Sequence, residues 1–216
     1  MDTPDQAESA LLALSDRLDR LESIEEIRQL AAKYSLALDM RDSAAWVGLF
    51  PEDIRVGDGQ VGRSALRAWF EHTMRNTFTG TAHHIGGHLI EMIDQNNAQG
   101  VVYSKNEHET KTQWVIMQMM YFDRYERIHG RWYFRRRLPL YWYASDLNQP
   151  PLGELKMRWP DVEPYEGSFH DLFPAWKEFW NRAPTADDQP VASPAPLEQF
   201  INTLRRGQAL PKVRIA

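Results

Sequence analysis

The sequence predicts an α+β fold, with helices laid on one side of a curved sheet. Three observations carry this. Apolar residues recur at helical spacing in the first third of the chain. From about residue 80 to 146 the chain is rich in Val, Ile, Tyr, Trp and Phe and is broken by turn residues. The two patterns are segregated, not alternating. Helices followed by a run of strands give an antiparallel meander, because a parallel sheet needs a crossover between neighbouring strands. The 216 residues are 43% apolar and 25% charged, ordinary values for a globular chain that exclude disorder throughout.

The elements follow in order. Leu11, Leu14, Leu18 and Leu21 form one stripe and predict a helix over 9–21. Ser23 stands three residues before Glu26, a capping-box pattern that opens a second helix carrying Ile27, Leu30, Ala31, Tyr34 and Leu38. A short helix over 43–50 ends at Pro51, residues 54–56 form a short strand, and 62–78 are helical with Leu66, Trp69, Phe70 and Met74 on one face. Long strands are predicted over 83–94, 99–110, 111–126 and 131–146, with turns at Asp94-Gln95-Asn96-Asn97 and His129-Gly130. Gly86-Gly87 marks a place for the first strand to bend. Gly57-Asp58-Gly59-Gln60-Val61-Gly62 spells a dinucleotide-binding fingerprint, but no strand–helix–strand unit surrounds it, so it reads as a turn entering the helix that ends at Phe78.

Ten of the 13 prolines fall between Pro139 and Pro196. Three regions result: a helical arm over 1–22, the α+β domain over 23–146, and a proline- and aromatic-rich extension over 147–216. Phe169, Leu172, Phe173, Trp176, Phe179 and Trp180 predict an aromatic helix over 168–183 that packs on the domain, on a neighbouring subunit or over a pocket mouth. Residues 184–196 read as an exposed linker, and 197–206 as a last short helix.

A net charge of −5 argues against a nucleic-acid partner, and no apolar run reaches transmembrane length. The acidic Met1-Asp2-Thr3-Pro4-Asp5 lacks the charge pattern of a signal peptide, and the absence of cysteine excludes disulfides and thiolate catalysis. A cytoplasmic protein is expected.

Three polar residues are candidates for chemistry. Asp39 follows an apolar helix face, His83 begins the first long strand, and His108 lies near the end of the second. A carboxylate beside an imidazole makes a general-base pair, because it fixes the ring tautomer and stabilises the imidazolium. The competing structural reading makes Asp39 a helix end or a partner of Arg41, and each histidine a hydrogen-bonded or surface residue. Strand alternation sends His83 and His84 to opposite faces, Tyr103 and Lys105 to one face, and Asn106 and His108 to the other. A tyrosine, lysine or arginine in an apolar pocket would hydrogen-bond a substrate phenolate or carbonyl and stabilise developing negative charge, whereas outside the pocket Tyr103 is packing and Lys105 a solvated charge. Arg75 suits a helix C-terminus. At least one of Arg135, Arg136 and Arg137 must face inward and needs a carboxylate, for which Asp39 and Glu71 are candidates. His83, His84 and His88 lack metal-ligand spacing and an acidic cluster, so no metal or other cofactor is expected.

The segment from Ile27 to Asp39, with Arg41-Asp42 and the stretch from Trp46 to Phe50, resembles the opening helices of SnoaL-like proteins of the nuclear transport factor two-like superfamily. The resemblance covers about residues 20–146 and implies a cone-shaped α+β barrel with a deep pocket between helices and a strongly curved sheet. Within the superfamily it extends to scytalone dehydratase. Asp39 matches that enzyme's catalytic aspartate, His83-His84-Ile85-Gly86-Gly87 matches a catalytic histidine segment at His83, and His108 falls at the second histidine. The sequence departs from the pattern at Leu38, where the family has a tyrosine, and at Met119 and Tyr121, where it has serine and asparagine.

The resemblance implies a cofactor-independent lyase for a small aromatic or polycyclic alcohol. Loss of water is one route. Loss of formaldehyde is another, as in bacterial lignin-dimer deformylases of this superfamily. Asp39, His83, His108, Tyr34, Tyr103 and Lys105 are the catalytic candidates. Trp46, Phe50, Trp69, Asn106, Trp114, Tyr121 and Arg136 are the substrate-binding ones. The alternatives are a ketosteroid-isomerase-like double-bond shift, with Asp39 as base and Tyr34 or Tyr121 as oxyanion donor, and a non-catalytic binding domain. A homo-oligomer, dimer or trimer, is also implied.

Overall fold

The structure is a computed structural model that describes residues 4–166 and 174–181. Helix α1 (Pro4–Asp39) runs unbroken for 36 residues. The capping-box reading at Ser23 is therefore corrected. No glycine or proline interrupts residues 5–39, and Ser23 is buried in mid-helix. The two halves of α1 differ in surroundings. Leu11, Leu14, Leu18 and Leu21 are all more than half exposed, whereas Ile27, Leu30, Ala31, Ala37 and Leu38 are buried. Arg127 Nη1 ties the exposed half down through Asp19, at 2.8 and 3.0 Å.

The end of α1 is built as a Schellman turn. The Arg41 N–H donates to the Leu38 carbonyl, the Asp42 N–H donates to that of Ala37, and Arg41 itself sits at φ 59°. Asp42 then caps α2 (Ser43–Val47) by accepting from the Ala45 N–H at 2.9 Å. Strands β1 (Arg55–Gly57) and β2 (Gln60–Val61) form a two-stranded hairpin. Gly57, Asp58 and Gly59 turn it at positive φ, so the fingerprint-like glycines are turn residues, as expected. Helix α3 (Arg63–Thr77) buries Leu66, Phe70 and Met74 along one face.

Four antiparallel strands follow, in the order β3 (Gly80–Met92), β4 (Asn97–Glu109), β5 (Trp114–Ile128) and β6 (Arg131–Asp146). β5 begins at Trp114 and not at 111, because Thr110 closes a turn with Gln113: the Thr110 N–H donates to the Gln113 carbonyl and its Oγ1 accepts from the Gln113 N–H. The register shifts between Ile85 and His88, at the Gly-Gly pair, and again between Gln118 and Met119 and between Arg124 and Tyr125. Such irregularities increase twist and bend the strands. The sheet curves under the helices but stays open, with β3 and β6 at its edges.

Two buried clusters fill the concave side. Ile27, Leu30, Trp46, Phe50, Phe70, Trp132 and Phe134 belong to one. Ala31, Val102, Val115, Met117, Met119, Ala144 and Met157 belong to the other. Met157 comes from beyond the last strand. It bridges Ala144 on β6 and Tyr165, and the Arg158 side chain donates to the carbonyls of Pro150, Leu152 and Leu155. Residues 147–166 are thus sewn to the edge of the sheet.

Helix α4 (Pro174–Asn181) contains the described part of the aromatic stripe. Trp176, Phe179 and Trp180 pack on one another and remain exposed. Phe169, Leu172, Phe173, the linker over 184–196 and the helix over 197–206 lie outside the described residues.

Candidate active site

The Schellman turn aims Asp39 at β3, where three donors meet its carboxylate. Oδ1 lies 2.7 Å from His83 Nδ1 and accepts from Thr81 Oγ1 at 2.8 Å, while Oδ2 accepts from the His83 backbone N–H at 2.8 Å. Arg41 supports this from behind. Its Nη1 donates to Thr81 Oγ1 at 2.7 Å and to the Leu38 carbonyl at 2.9 Å. Arg41 is therefore not the ion-pair partner of Asp39; it orients the threonine that is bonded to it. The His83 side chain is 4% exposed and that of Asp39 26%. Partial burial pushes the Asp39 carboxyl up, but the bonds from the His83 ring, the His83 backbone and Thr81 outweigh it and hold the group below the usual carboxylate range.

His108 stands on β4 with its ring 5.4 Å from that of His83, edge to face. Phe78 lies 4.6 Å from it and Trp159, from the extension, 6.0 Å. His108 Nδ1 is buried without a hydrogen-bond partner. Burial, and then the His83 and Arg41 charges against the opposing pull of Asp39, bring this imidazole down to about 4, so it is neutral at pH 7. His84 is exposed, as alternation requires.

Asn106 links this corner to the rest of the interior. It is the register partner of His83, it accepts from Ser104 Oγ, and its Nδ2 donates to Tyr121 Oη at 3.2 Å. Tyr121 forms part of the wall of a cavity of about 630 Å³ that also has Tyr34, Trp46, Phe50, Trp69 and Arg136 in its lining. Six predicted residues thus meet around one hollow. The hollow is not lined by Asp39, His83 or His108, so the predicted set divides between a dyad corner and an aromatic cavity, with Asn106 between them. A second cavity of about 360 Å³ touches Arg41, Glu71, Arg75 and Phe78, close to the dyad.

Tyr103, Lys105 and Trp114 point away from both. Tyr103 stacks edge-on against Trp142, Lys105 lies 4.0 Å from Glu107 Oε1, and Trp114 Nε1 donates to Glu107 Oε2. All three are on the face of β4 and β5 opposite Asn106 and His108, which corrects their expected place beside the substrate. The described part of the aromatic stripe lines neither cavity.

The buried arginine is Arg137, and its partner is neither Asp39 nor Glu71. Its Nε and Nη2 donate to Asp123 Oδ1 and Oδ2 at 3.0 and 2.9 Å, across the β5–β6 pair. Tyr125 Oη donates to Asp123 at 2.9 Å and lies 2.9 Å from His88 Nε2. The guanidinium sits 4.2, 4.0 and 4.3 Å from the ring centres of Tyr34, Tyr121 and Phe134. Burial pushes Asp123 up and Arg137 pulls it back. Arg137 itself ends above its ordinary value because Asp123 outweighs its burial. Burial also raises the Tyr34 and Tyr121 phenols, which stay protonated. The sequence held a signal for this network: strand alternation puts Asp123 on the same face as Met117, Met119 and Tyr121, and a carboxylate there requires a cation.

Helices closed over one face of an open antiparallel sheet, around a carboxylate–imidazole pair and an aromatic hollow, define a domain of the nuclear transport factor two-like class. The chain belongs to the SnoaL-like domain family, which matches residues 19–138. Among solved structures it is similar to a candidate scytalone dehydratase from Novosphingobium aromaticivorans, at 25% identity over 61% of this chain and 91% of that one, with a TM-score of 0.53. It is similar to a Mycobacterium tuberculosis protein of unknown function at 26% identity, covering 62% and 83% of the two chains, with a TM-score of 0.50. A hexachlorocyclohexane dehydrochlorinase from Novosphingobium barchaimii shares the fold at 18% identity, covering 61% and 94%, with a TM-score of 0.57. No curated protein sequence matches the chain.

Proposed function

We propose that the protein is a cofactor-independent lyase that eliminates water, formaldehyde or both from an aromatic alcohol. A lignin-derived diarylpropane diol, converted to a stilbene, is the substrate type in view. The 2.7 Å contact between Asp39 Oδ1 and His83 Nδ1 carries the reading. It fixes the Nδ1–H tautomer, leaves Nε2 as the nitrogen that takes a proton, and places a carboxylate against the imidazolium that results. Neutral His108 serves as a hydrogen-bond donor to the departing oxygen and not as a proton source. In simple dehydration His83 takes a C–H proton at Nε2 and hands it to the departing hydroxyl, which leaves as water. In the diol route the phenolate expels the benzylic hydroxyl to give a quinone methide. His83 then takes the proton of the remaining hydroxymethyl group, the carbon–carbon bond breaks, formaldehyde leaves, the electron pair restores the phenolate, and the proton on His83 passes to the expelled hydroxide to give water. One diol yields one stilbene, one formaldehyde and one water. The similarity to a candidate dehydratase supports the same class.

The isomerase alternative needs a free carboxylate base. Here both Asp39 oxygens already accept hydrogen bonds, which weakens that base. The test is an assay of phenolic diols without added cofactor, read by mass spectrometry and formaldehyde capture. Asp39→Asn should lower kcat by about 100- to 10,000-fold while circular dichroism stays unchanged. Unaltered turnover in that variant refutes the dyad. A product of unchanged mass selects the isomerase, and ligand binding without turnover selects the binding domain.

The same reading includes a homo-oligomer, dimer or trimer. Its support is the exposed leucine stripe of α1, spaced as alternating first and fourth heptad positions, with Arg17 and Glu22 at the flanking positions that meet as opposite charges between parallel copies.

A further inference from the structure

We infer that the arginine-lined aromatic cavity holds its ligand through an oxyanion, the carboxylate or phenolate of an aromatic molecule. This deepens the lyase reading by specifying the charge of the substrate, and it rests on that reading only for calling the ligand a substrate. The cavity lining contains five arginines and no acidic residue. Asp53 and Glu126 pair with Arg135, and Asp123 pairs with Arg137, yet none of these carboxylates lines the hollow. Two buried donors of the lining, Arg137 Nη1 and Trp46 Nε1, make no well-aligned hydrogen bond, although the side chains of both reach toward the Tyr34 hydroxyl. An unmet buried donor costs about 1–3 kcal/mol, more for a charged one, so a ligand acceptor gains by meeting it. The Tyr34 and Tyr121 phenols remain protonated, and Tyr121 already accepts from Asn106, so its own hydrogen is available to donate. The polar inventory is therefore one of donors in a positive field, walled by rings. A neutral carbonyl satisfies the donors but not the field. An ammonium satisfies neither.

The test titrates naphthalene-2-carboxylate, its neutral methyl ester and 4-nitrophenol against the full chain, by tryptophan fluorescence and visible absorbance. The carboxylate is expected to bind about ten-fold or more tightly than the ester, as a charged hydrogen bond predicts. Nitrophenol is expected to bind as its yellow anion at a pH where it is protonated in water. The first effect alone assigns the site to carboxylates, and the second alone to phenolates. Both effects should shrink in Trp46→Phe, which keeps a ring and loses the N–H, and in Arg136→Gln. Equal affinity for acid and ester together with colourless bound nitrophenol overturns the inference, and these wild-type arms decide it whatever the variants do to folding. Repeating the titration in Asp39→Asn separates the two proposals. Anion preference retained there while turnover is also retained sinks only the lyase. Anion preference absent while Asp39→Asn abolishes turnover sinks only this inference.

Discussion

Burial of two imidazoles makes the stability of this protein sensitive to mild acid. His108 and His88 are each brought from 6.5 to about 4, chiefly by loss of solvent. The unfolded chain takes these two protons near pH 6.5 and the folded chain only near pH 4. Between those values the unfolded state binds more protons, so stability falls as pH is lowered through that window. Each displacement corresponds to roughly 3 kcal/mol. Below it, the bonds to Asp39 add a further loss as its carboxylate protonates. Urea unfolding at pH 7.5, 5.5 and 4 should show a steep decline that His108→Phe flattens. A stability independent of pH across this range contradicts the assignment. At this scale Asp39, His83 and His108 were legible because a motif resemblance supplied the long-range pairing that spacing cannot. Tyr103 and Lys105 went astray because alternation orders the faces of a strand without saying which is inner. Asp123 and Arg137 were missed as a pair because they meet only through strand register.

The elements themselves were read with small errors at their ends, and each error has a local cause. The 36-residue α1 was divided because a capping pattern resembles a start wherever it stands, although only a breaker before it makes one. The third long strand was begun early because Thr110–Gln113 is polar but holds no glycine or proline to mark its turn. The Gly86-Gly87 bend was visible from composition. Gly100 was not, and its role is steric: a Cβ there would stand 2.5 Å from the Leu89 carbonyl oxygen and 3.3 Å from the Tyr125 ring. Gly100→Ala should therefore part β3 from β4 beside the Tyr125–Asp123 pair and cost about 1–3 kcal/mol, read as a lower midpoint in chemical denaturation. An unchanged midpoint would show that the strands give way freely.

For the molecule as a whole, helices first and strands second sufficed to predict the layers. The division of its interior into a dyad corner and an aromatic cavity was not predictable, because it depends on how bulges bend the sheet. Assembly is the open property at this scale. The four stripe leucines of α1, Leu11, Leu14, Leu18 and Leu21, each more than half exposed, are expected to meet their copies. Light scattering should report a dimer or trimer, and Leu14→Glu with Leu18→Glu should return a folded monomer. A wild-type monomer at high concentration removes this expectation.

Trp159 reaches His108 only because the chain, having finished its last strand, doubles back along that strand's edge. One ring of the wall around this imidazole is therefore missing until some 13 residues beyond the sheet have been synthesised and docked. A ribosome that stopped at the end of β6 would release Asp39, His83 and His108 together, but not the full wall around the last of them.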